Sequence, residues 1–479
     1  MISTRILQTD SPINAAAIRS AHLVGVCGTG MKALAELLAG FGCRVTGSDL
    51  QVPRSAKQKL AARGLRVHSG HEDRFLPIDV DVLVHSPAIG VDNREIQLAR
   101  RHRIPILTYS QMLGLLMESR TGVSIAGTHG KSTTTALVAS ALESAKRNAS
   151  AVIGAEFCGT GVSGFAGDGE LFVAESCEYQ RNFWDLKPEH AVVLGIEADH
   201  FDCFTDINDN VDAFAEFVSR IPFTGSLLLN RDCPHSQRLA DLAAADVSTF
   251  SLQPGADWWA SDLRSTNSLT RFRVFRRGDF FCQVALPLQG YHNASNALAA
   301  IGMLHRLGLS PTEIQTGLAE FPGIRRRYER VGSWRGITLI DDYAHHPTAI
   351  RATLAAIRQE FGQRRIWCAF QPHQVSRTRN LMQEFQSAFC AADRVLISPV
   401  FAAREQLDPE IPISISNELA QRLNENGCSA SFVDSLDRII ATIDDEAQPG
   451  DVLVTMGAGD INRVHHEFNR RLQRHHSTR

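Results

Sequence analysis

Short apolar runs that alternate with helical stretches follow one another along most of the chain. The first run, Ala21–Val26, leads into a glycine turn and then into a helix predicted over Leu34–Phe41. Parallel strands need such crossover helices, so this order predicts an α/β fold with parallel, doubly wound sheets. Further strands of this first unit are predicted at Arg44–Gly47, Val80–His85 and Ile104–Leu107.

A second unit begins near Gly122 with a strand, a glycine-rich turn and an alanine-rich helix over Thr134–Ala145. A long helix, Asn293–Leu307, comes near its end, and the Phe-Pro-Gly sequence at 321–323 is typical of a boundary. Strands of this unit are predicted at Leu171–Ala174, Ala191–Ile196 and Leu227–Asn230.

The remainder of the chain again alternates strands with helices. A chain of 479 residues has room for about three domains, and we divide it into residues 1–120, 121–323 and 324–479. Strands of the third unit are predicted at Ile337–Ile340, Arg365–Phe370, Arg394–Pro399 and Asp451–Met456.

Composition excludes some classes of protein. The net charge is only −3, which gives no sign of a nucleic-acid surface. No run of 18 apolar residues occurs, and residues 1–20 lack the apolar core of a signal peptide. The ten cysteines form no Cys-x-x-Cys pair, as expected for thiols in a reducing compartment. We expect a cytoplasmic protein that contacts neither nucleic acid nor membrane.

Residues 127–132, Gly-Thr-His-Gly-Lys-Ser, carry the strongest chemical signal. The backbone N–H groups of a glycine turn that opens a helix bind phosphate, together with the positive helix end. Lys131 can reach the outer phosphates, and the Ser132 hydroxyl can bind Mg²⁺. The turn departs from the Walker pattern, since Ile125 stands where the first glycine would fall. The loop predicts a nucleotide-phosphate site.

A second glycine turn, residues 28–33, reads Gly-Thr-Gly-Met-Lys-Ala and fits the pattern G-x-G-x-x-A. By itself this turn fits a tight connection without a ligand equally well. Asp49 ends the next predicted strand, where an acid binds ribose in dinucleotide folds. Together, the turn and the acid favour a site for a nucleotide or a nucleotide sugar.

Acidic residues follow two predicted strands of the second unit. Glu175 can bind Mg²⁺ or orient water beyond the end of its strand, or it can be an acid near a helix start. Residues 197–202 hold four ionisable groups in six positions, including His200. Their place, one strand–helix unit after Glu175, favours a metal and phosphate role over a solvated loop.

Polar motifs also precede helices or end strands elsewhere. Asn293 and Asn296 fit either a helix cap or hydrogen bonds to an adenine edge. Arginine and histidine concentrate at residues 325–329, 341–347 and 371–377, which fits either a solvated face or an anion clamp.

Read together, these motifs resemble those of the Mur ligases, from about His22 to Asp460. The resemblance implies a Rossmann-like UDP-binding domain, a central P-loop-type ATPase domain with a parallel sheet, and a C-terminal Rossmann-like domain that closes over both. The segments that carry the resemblance are residues 22–31, 47–50, 126–133, 341–348, 370–373 and 456–460.

The activity that the resemblance implies is ATP- and Mg²⁺-dependent ligation of L-alanine to the lactyl carboxylate of UDP-N-acetylmuramate. The reaction would proceed through an acyl phosphate in cytoplasmic peptidoglycan precursor synthesis, in a monomer or a weak homodimer. A recycling ligase of the family joins a ready-made tripeptide to the same nucleotide sugar. The Phe-Gln-Pro-His sequence at 370–373 favours alanine addition.

The resemblance also implies residue roles. UDP-sugar ligands would be Gly28, Thr29, Gly30, Met31, Ser48, Asp49, His71 and Ser86. ATP ligands would be Gly127, Thr128, His129, Gly130, Lys131, Ser132, Thr133, His292, Asn293, Asn296, Arg327 and Asp342. Metal ligands would be Ser132, Glu175 and His200, and the amino acid would contact Tyr343, His345, His373 and Arg377. Catalysis would involve Lys131, Glu175, His200, Arg327 and His345.

The sequence departs from the family pattern in places. Cys177 stands where aspartate is commoner, which leaves the role of Glu178 open, and no lysine follows Lys187 to provide the carbamoylated lysine of several relatives. Two rival hypotheses remain: a nicotinamide-dependent oxidoreductase, based on residues 28–33 with Asp49, and a non-catalytic nucleotide-sugar sensor of the same fold.

Overall fold

A computed structural model describes the backbone of residues 14–266 and 268–477; the side chains of Ser55 and of residues 472–477 are not described. Residues 1–13, on which part of the signal-peptide expectation rests, lie outside this description. The described residues form three sheets of five, ten and six strands, which succeed one another in sequence. We call each sheet with its helices the first, central and C-terminal domain. Within the described residues, no helix is long and apolar enough to cross a membrane.

The first domain is a parallel sheet with helical crossovers. Its strands are β1 (Ser20–Val24), β2 (Arg44–Asp49), β3 (Arg66–Ser69), β4 (Val82–His85) and β5 (Ile106–Thr108). Its helices are α1 (Thr29–Gly40), α2 (Arg54–Ala61), α3 (Arg94–Arg101) and α4 (Tyr109–Met117). The strand order is β3-β2-β1-β4-β5, so β2 and β3 lie on one side of β1, and β4 and β5 lie on the other. The chain thus changes sides between β1 and β4. Ligands of such sheets bind at this switch point.

The central domain contains the loop of residues 127–132, which we call the phosphate loop. Its strands are β6 (Thr121–Ala126), β7 (Ser150–Val152), β8 (Gly164–Phe165), β9 (Leu171–Glu175), β10 (His190–Val193), β11 (Ser226–Asn230), β12 (Asp246–Ser251), β13 (Trp258–Thr266), β14 (Leu269–Arg276) and β15 (Asp279–Leu286). Its helices are α5 (Lys131–Ser144), α6 (Ile207–Ser219), α7 (Ser236–Leu242), α8 (Tyr291–Arg306) and α9 (Pro311–Ala319).

The central sheet is parallel around the phosphate loop and antiparallel at both edges, where β7 pairs with β8 and β13 pairs with β14. Strand β6 lies between β10 and β9 and pairs with both in parallel. Strands β13, β14 and β15 form an antiparallel meander that the sequence analysis did not include. Alternate residues of β14 are buried and exposed, because one face packs on the core and the other meets solvent. This alternation was available in the sequence as a strand signal.

The C-terminal domain repeats the α/β arrangement. Its strands are β16 (Glu329–Trp334), β17 (Ile337–Asp342), β18 (Ile366–Phe370), β19 (Arg394–Ile397), β20 (Ala430–Phe432) and β21 (Val452–Met456), in the order β16-β17-β21-β18-β19-β20. Its helices are α10 (Pro347–Phe361), α11 (Val375–Asn380), α12 (Met382–Phe385), α13 (Glu410–Glu425), α14 (Leu436–Glu446) and α15 (Arg463–Ser477). The predicted three-part α/β architecture is confirmed.

Candidate functional site

A cavity of about 630 Å³ lies between the central and C-terminal domains. Its central-domain wall comprises the loop before α5, the residues after β9 and β10, and the start of α8. Its other wall comprises the residues after β17 and those around the start of α11. Both walls lie at the carboxyl ends of parallel strands, which is where ligands bind in open α/β sheets.

The phosphate loop approaches α8 so closely that one position requires glycine. Gly130 has φ +83° and directly precedes α5. A Cβ atom there would clash with Oδ1 of Asn296. Glycine therefore permits both the left-handed backbone and the contact between the loop and α8.

Lys131 is paired with Glu178, whose role the sequence left open. Lys131 Nζ donates to Glu178 Oε2 at 2.8 Å and to the Gly127 carbonyl at 2.5 Å, and His200 Nε2 lies 3.6 Å from Glu178 Oε1. Burial alone would raise the pKa of Glu178, but Lys131 and His200 lower it to about 2. Burial alone would lower the pKa of the Lys131 amine, but the nearby Glu178 carboxylate raises it above its usual value. The pair is therefore ionised at neutral pH.

The three residues expected to bind Mg²⁺ all line the cavity. Ser132 is buried in the first turn of α5, and Glu175 Oε2 accepts the Gly154 N–H at 2.6 Å. His200 has φ +53°, and its buried Nδ1 has no hydrogen-bond partner among the described residues. A hydroxyl, a carboxylate and an unpartnered imidazole nitrogen fit a divalent cation.

The two asparagines of α8 line the same wall. Gly290, and not Asn293, is the N-cap of α8, so the capping role is wrong. Asn293 Nδ2 instead donates to the Gln289 carbonyl at 2.8 Å, and Asn296 Nδ2 lies 3.4 Å from Asn293 Oδ1. Beside them, burial and then the charge of Arg327 lower the pKa of His292 to about 4.

The opposite wall carries Arg327 and the residues that end β17. The Arg327 guanidinium lies 4.9 Å from the Tyr343 ring centroid. The Asp342 carboxylate accepts the N–H groups of Tyr328 at 2.8 Å and Ala344 at 2.7 Å. Burial raises the pKa of Asp342, and Arg327 opposes this shift.

His345, His373 and Arg377 form a cluster on this wall. His345 Nδ1 donates to the Tyr343 carbonyl at 2.9 Å, which leaves the lone pair on Nε2. Arg377 Nη1 donates to His373 Nδ1 at 2.9 Å, so His373 carries its proton on Nε2. Burial, followed by the charge of Arg377, lowers the pKa of both imidazoles, that of His373 to about 4.

Arg377 also reaches across to the central domain. Its Nε donates to Asp199 Oδ1 at 2.7 Å, and both side chains are nearly fully buried. Burial alone would raise the pKa of Asp199, but His200 and Arg377 hold it well below its usual range. The sequence placed Asp199 in an acidic cluster without this role, because only the tertiary structure brings the two domains together.

The residues expected to bind the UDP sugar lie apart from this cavity, in the first domain. Ser48 Oγ donates to Glu95 Oε2 at 2.8 Å and lies 3.0 Å from His71 Nδ1, and His22 Nε2 lies 2.6 Å from the same carboxylate oxygen. Asp49 Oδ2 accepts the Cys27 N–H at 2.8 Å. The sequence analysis missed Glu95, since no local motif marks it on α3.

Of the other expected ligands, Gly28, Thr29, Gly30 and Met31 lie at the start of α1, and Ser86 follows β4.

Comparison with known proteins identifies the family. Family models for the Mur ligase family catalytic domain, the Mur ligase middle domain and the Mur ligase glutamate ligase domain match residues 20–121, 125–304 and 326–459. The UDP-N-acetylmuramate--L-alanine ligase of Desulfitobacterium hafniense is 37% identical over 92% of this chain and 98% of its own length. The chain belongs to the Mur ligase family. The enzyme of the same name from Chromobacterium violaceum is 39% identical over 93% of this chain and 97% of its own.

Solved structures of this ligase family have the same architecture. UDP-N-acetylmuramate-alanine ligase from Thermotoga maritima aligns with a TM-score of 0.79 at 25% identity, over 95% of this chain and 99% of that one. A murein peptide ligase from Psychrobacter arcticus aligns with a TM-score of 0.71 at 25% identity, over 94% and 98%. The fold is thus shared by ligases with different names.

Proposed function

We propose that this chain joins L-alanine to the lactyl carboxylate of UDP-N-acetylmuramate, with ATP converted to ADP and phosphate. The observation that carries the proposal is the cavity in which the phosphate loop faces His345, His373 and Arg377. Relatives that cover nearly the whole chain bear the name of this activity. Because the reaction consumes ATP, we place it in the cytoplasm.

ATP fits the central-domain wall of the cavity. The phosphate loop and Lys131 would bind the phosphates, Asn293 and Asn296 the adenine, and Asp342 the ribose. Ser132, Glu175 and His200 would hold Mg²⁺, which neutralises phosphate charge when it is bound. In this arrangement, ATP would replace Glu178 as the partner of the Lys131 ammonium.

The first step creates a leaving group, since a carboxylate does not react with an amine near pH 7. A muramate carboxylate oxygen attacks the γ-phosphorus, the bond to the β-phosphate oxygen breaks, and ADP leaves. Lys131 and Arg327 stabilise this step through position and charge. The product is an acyl phosphate.

In the second step, the amine of L-alanine attacks the acyl carbon, and phosphate leaves as the carbon–oxygen bond breaks. The ammonium of the amino acid must first lose a proton. His345 is the candidate base, because its lone pair is on Nε2, whereas His373 carries a proton there. Arg377 would bind the alanine carboxylate and so direct the amine.

The nucleotide sugar would bind to the first domain. Asp49 and His71 lie at the carboxyl ends of β2 and β3, close to the switch point of the sheet. This crevice is where nucleotides bind in doubly wound sheets. The cavity must close to water during turnover, since an acyl phosphate hydrolyses.

The test is ADP release by the purified protein with UDP-N-acetylmuramate, ATP and Mg²⁺. L-alanine, glycine, L-serine and the recycling tripeptide are compared as acceptors, and the product is identified by its mass. We expect turnover with L-alanine and little with the tripeptide. Preference for the tripeptide would assign the chain to recycling, and absence of ADP release would favour a sensor. Oxidation of NADH would instead support the oxidoreductase hypothesis.

A further inference from the structure

A second cluster of metal-ligating side chains lines the cavity, apart from the residues expected to bind Mg²⁺. It consists of His129 in the phosphate loop, Glu197 after β10, and His346 directly before α10. His129 Nε2 lies 3.4 Å from Glu197 Oε2, and His346 Nδ1 lies 3.6 Å from the same oxygen. The first two residues belong to the central domain and the third to the C-terminal domain.

These separations match those between the ligands of one small cation. In a tetrahedral zinc site with bonds of about 2.0–2.1 Å, neighbouring ligand atoms lie roughly 3.3–3.4 Å apart. The two distances to Glu197 Oε2 therefore lie within a few tenths of an ångström of that spacing, and all three ligand atoms lie within 4.8 Å of one another. The Glu197 side chain is partly exposed to the cavity, which gives an ion a path to the cluster.

Hydrogen bonds orient two of the three side chains. His346 Nε2 donates to the Ala198 carbonyl at 3.3 Å, which leaves the lone pair on Nδ1. Thr348 Oγ1 donates to Glu197 Oε2 at 2.6 Å. Partners of this kind fix the tautomer and the direction of ligands in metal sites. An ion would replace the long 3.3 Å contact between the Thr348 N–H and His346 Nδ1.

The protonation states also suit a metal. Burial lowers the pKa of His346 to about 4, so this imidazole is neutral at pH 7. Burial alone would raise the pKa of Glu197, but His129 and Thr348 lower it to about 2. His129 Nε2 is itself buried and has no hydrogen-bond partner among the described residues. A neutral imidazole and a carboxylate are the forms that bind metal.

We propose that His129, Glu197 and His346 bind one divalent transition-metal ion of the zinc class. Two imidazoles among three protein ligands favour such an ion over Mg²⁺, whose ligands are chiefly oxygens. The site joins the phosphate loop to the start of α10 and so holds the C-terminal domain against the nucleotide site. Binding of the ion can be measured without the ligase substrates.

The test uses Co²⁺ as a coloured substitute for Zn²⁺, with the full chain, excess Mg²⁺ and no substrates. We expect one Co²⁺ per chain, with the visible absorption of a tetrahedral nitrogen and oxygen site, and displacement by Zn²⁺. Affinity should fall at least about tenfold in Glu197→Gln and in His346→Ala, since each variant removes one ligand. His102→Ala, which removes an exposed imidazole of the first domain, should bind as the wild type does.

A competing cluster, Cys177 with Glu178 and His200, provides the decisive control. Co²⁺ bound there would show a thiolate charge-transfer band that Cys177→Ser removes. That result, absence of Co²⁺ binding, or unchanged affinity in both Glu197→Gln and His346→Ala would overturn the proposal. Thermal unfolding of each variant without metal establishes that it is folded, and the isosteric Glu197→Gln substitution guards against a packing defect.

Discussion

At the scale of single residues, the charge of Lys131 is already balanced within the central domain. Lys131 Nζ donates hydrogen bonds to both carboxylate oxygens of Glu178. Burial keeps water from screening this ion pair. A buried charge that loses its partner is strongly destabilising. Glu178 therefore keeps the lysine charged and in place.

Lys131→Ala tests the phosphate-loop assignment. The variant loses the lysine charge that would face the transferred phosphoryl group. The transition state for ADP formation should therefore lose about 3–4 kcal/mol of stabilisation, and the rate should fall accordingly. The rate is measured by ADP release under saturating substrates, with circular dichroism to verify folding. Lys57→Ala, an exposed lysine of α2, should retain activity. A folded Lys131→Ala protein with wild-type turnover would show that the loop does not bind the reacting phosphate.

Glu178→Gln tests the pH dependence of the same pair. The pKa of Glu178 is depressed from 4.5 to about 2, so its contribution to stability is present above pH 4.5. That contribution, roughly 3–4 kcal/mol from the 1.4 kcal/mol that each pKa unit represents, is lost as the pH falls towards 2. Urea unfolding should show a constant difference between wild type and variant from pH 7 to 5, and a shrinking one below. A difference that stays constant to pH 3 would contradict an ionised Glu178.

At the scale of elements, the fit of the phosphate loop against α8 depends on Gly130. The loop leaves β6, turns through a left-handed residue and starts α5, while Asn296 on α8 occupies the space beside that residue. Strand, loop and both helices therefore meet at a point where the space beside residue 130 is already occupied.

Gly130→Ala should disrupt this fit, with Gly278→Ala as its matched control. Both glycines have positive φ, +83° and +94°, so both substitutions carry a left-handed strain on the order of 1–3 kcal/mol. Only Gly130 has a neighbour that the new methyl group would strike, since nothing lies within 4 Å at Gly278. Nucleotide affinity, measured by titration of a fluorescent ATP analogue, should fall in the first variant alone. Equal losses in both would refute the role of the Asn296 contact.

At the scale of the whole molecule, the buried pair of Asp199 and Arg377 joins the central and C-terminal domains. Its Nε–Oδ1 distance is 2.7 Å, and the side chains are only 6% and 3% exposed. Arg377 Nη2 makes no hydrogen bond within the described part of the chain, so one terminal nitrogen remains for the alanine carboxylate that we propose it binds. In that proposal, domain contact and amino-acid binding share one guanidinium.

A double-mutant cycle measures this interdomain contact. Asp199→Asn and Arg377→Gln should each reduce the free energy of unfolding by about 3–5 kcal/mol, because each leaves a buried charge without its partner. The double variant should lose far less than their sum. The exposed pair Arg220 and Glu216 serves as control, with an expected coupling of about 0.3–0.5 kcal/mol. Additive losses in the buried pair would mean that the two domains do not depend on this contact.

Much of the fold was determined by the sequence alone, because local patterns encode it. Apolar runs followed by glycine turns placed β1, β6 and the helices after them, and the α/β order of strand and helix followed. The phosphate loop was equally local, since its chemistry resides in six consecutive residues. Such signals need no knowledge of distant neighbours.

Only the tertiary structure decided which side chains from distant parts of the sequence contact one another. The pairing of Glu178 with Lys131, of Asp199 with Arg377, and of Glu95 with Ser48 joins side chains from different elements. Sequence spacing carries no information on such pairs, because strand order and domain packing bring them together. The same packing buries His345 beside Arg377. Burial and that charge lower the pKa of His345, so its imidazole is neutral at pH 7.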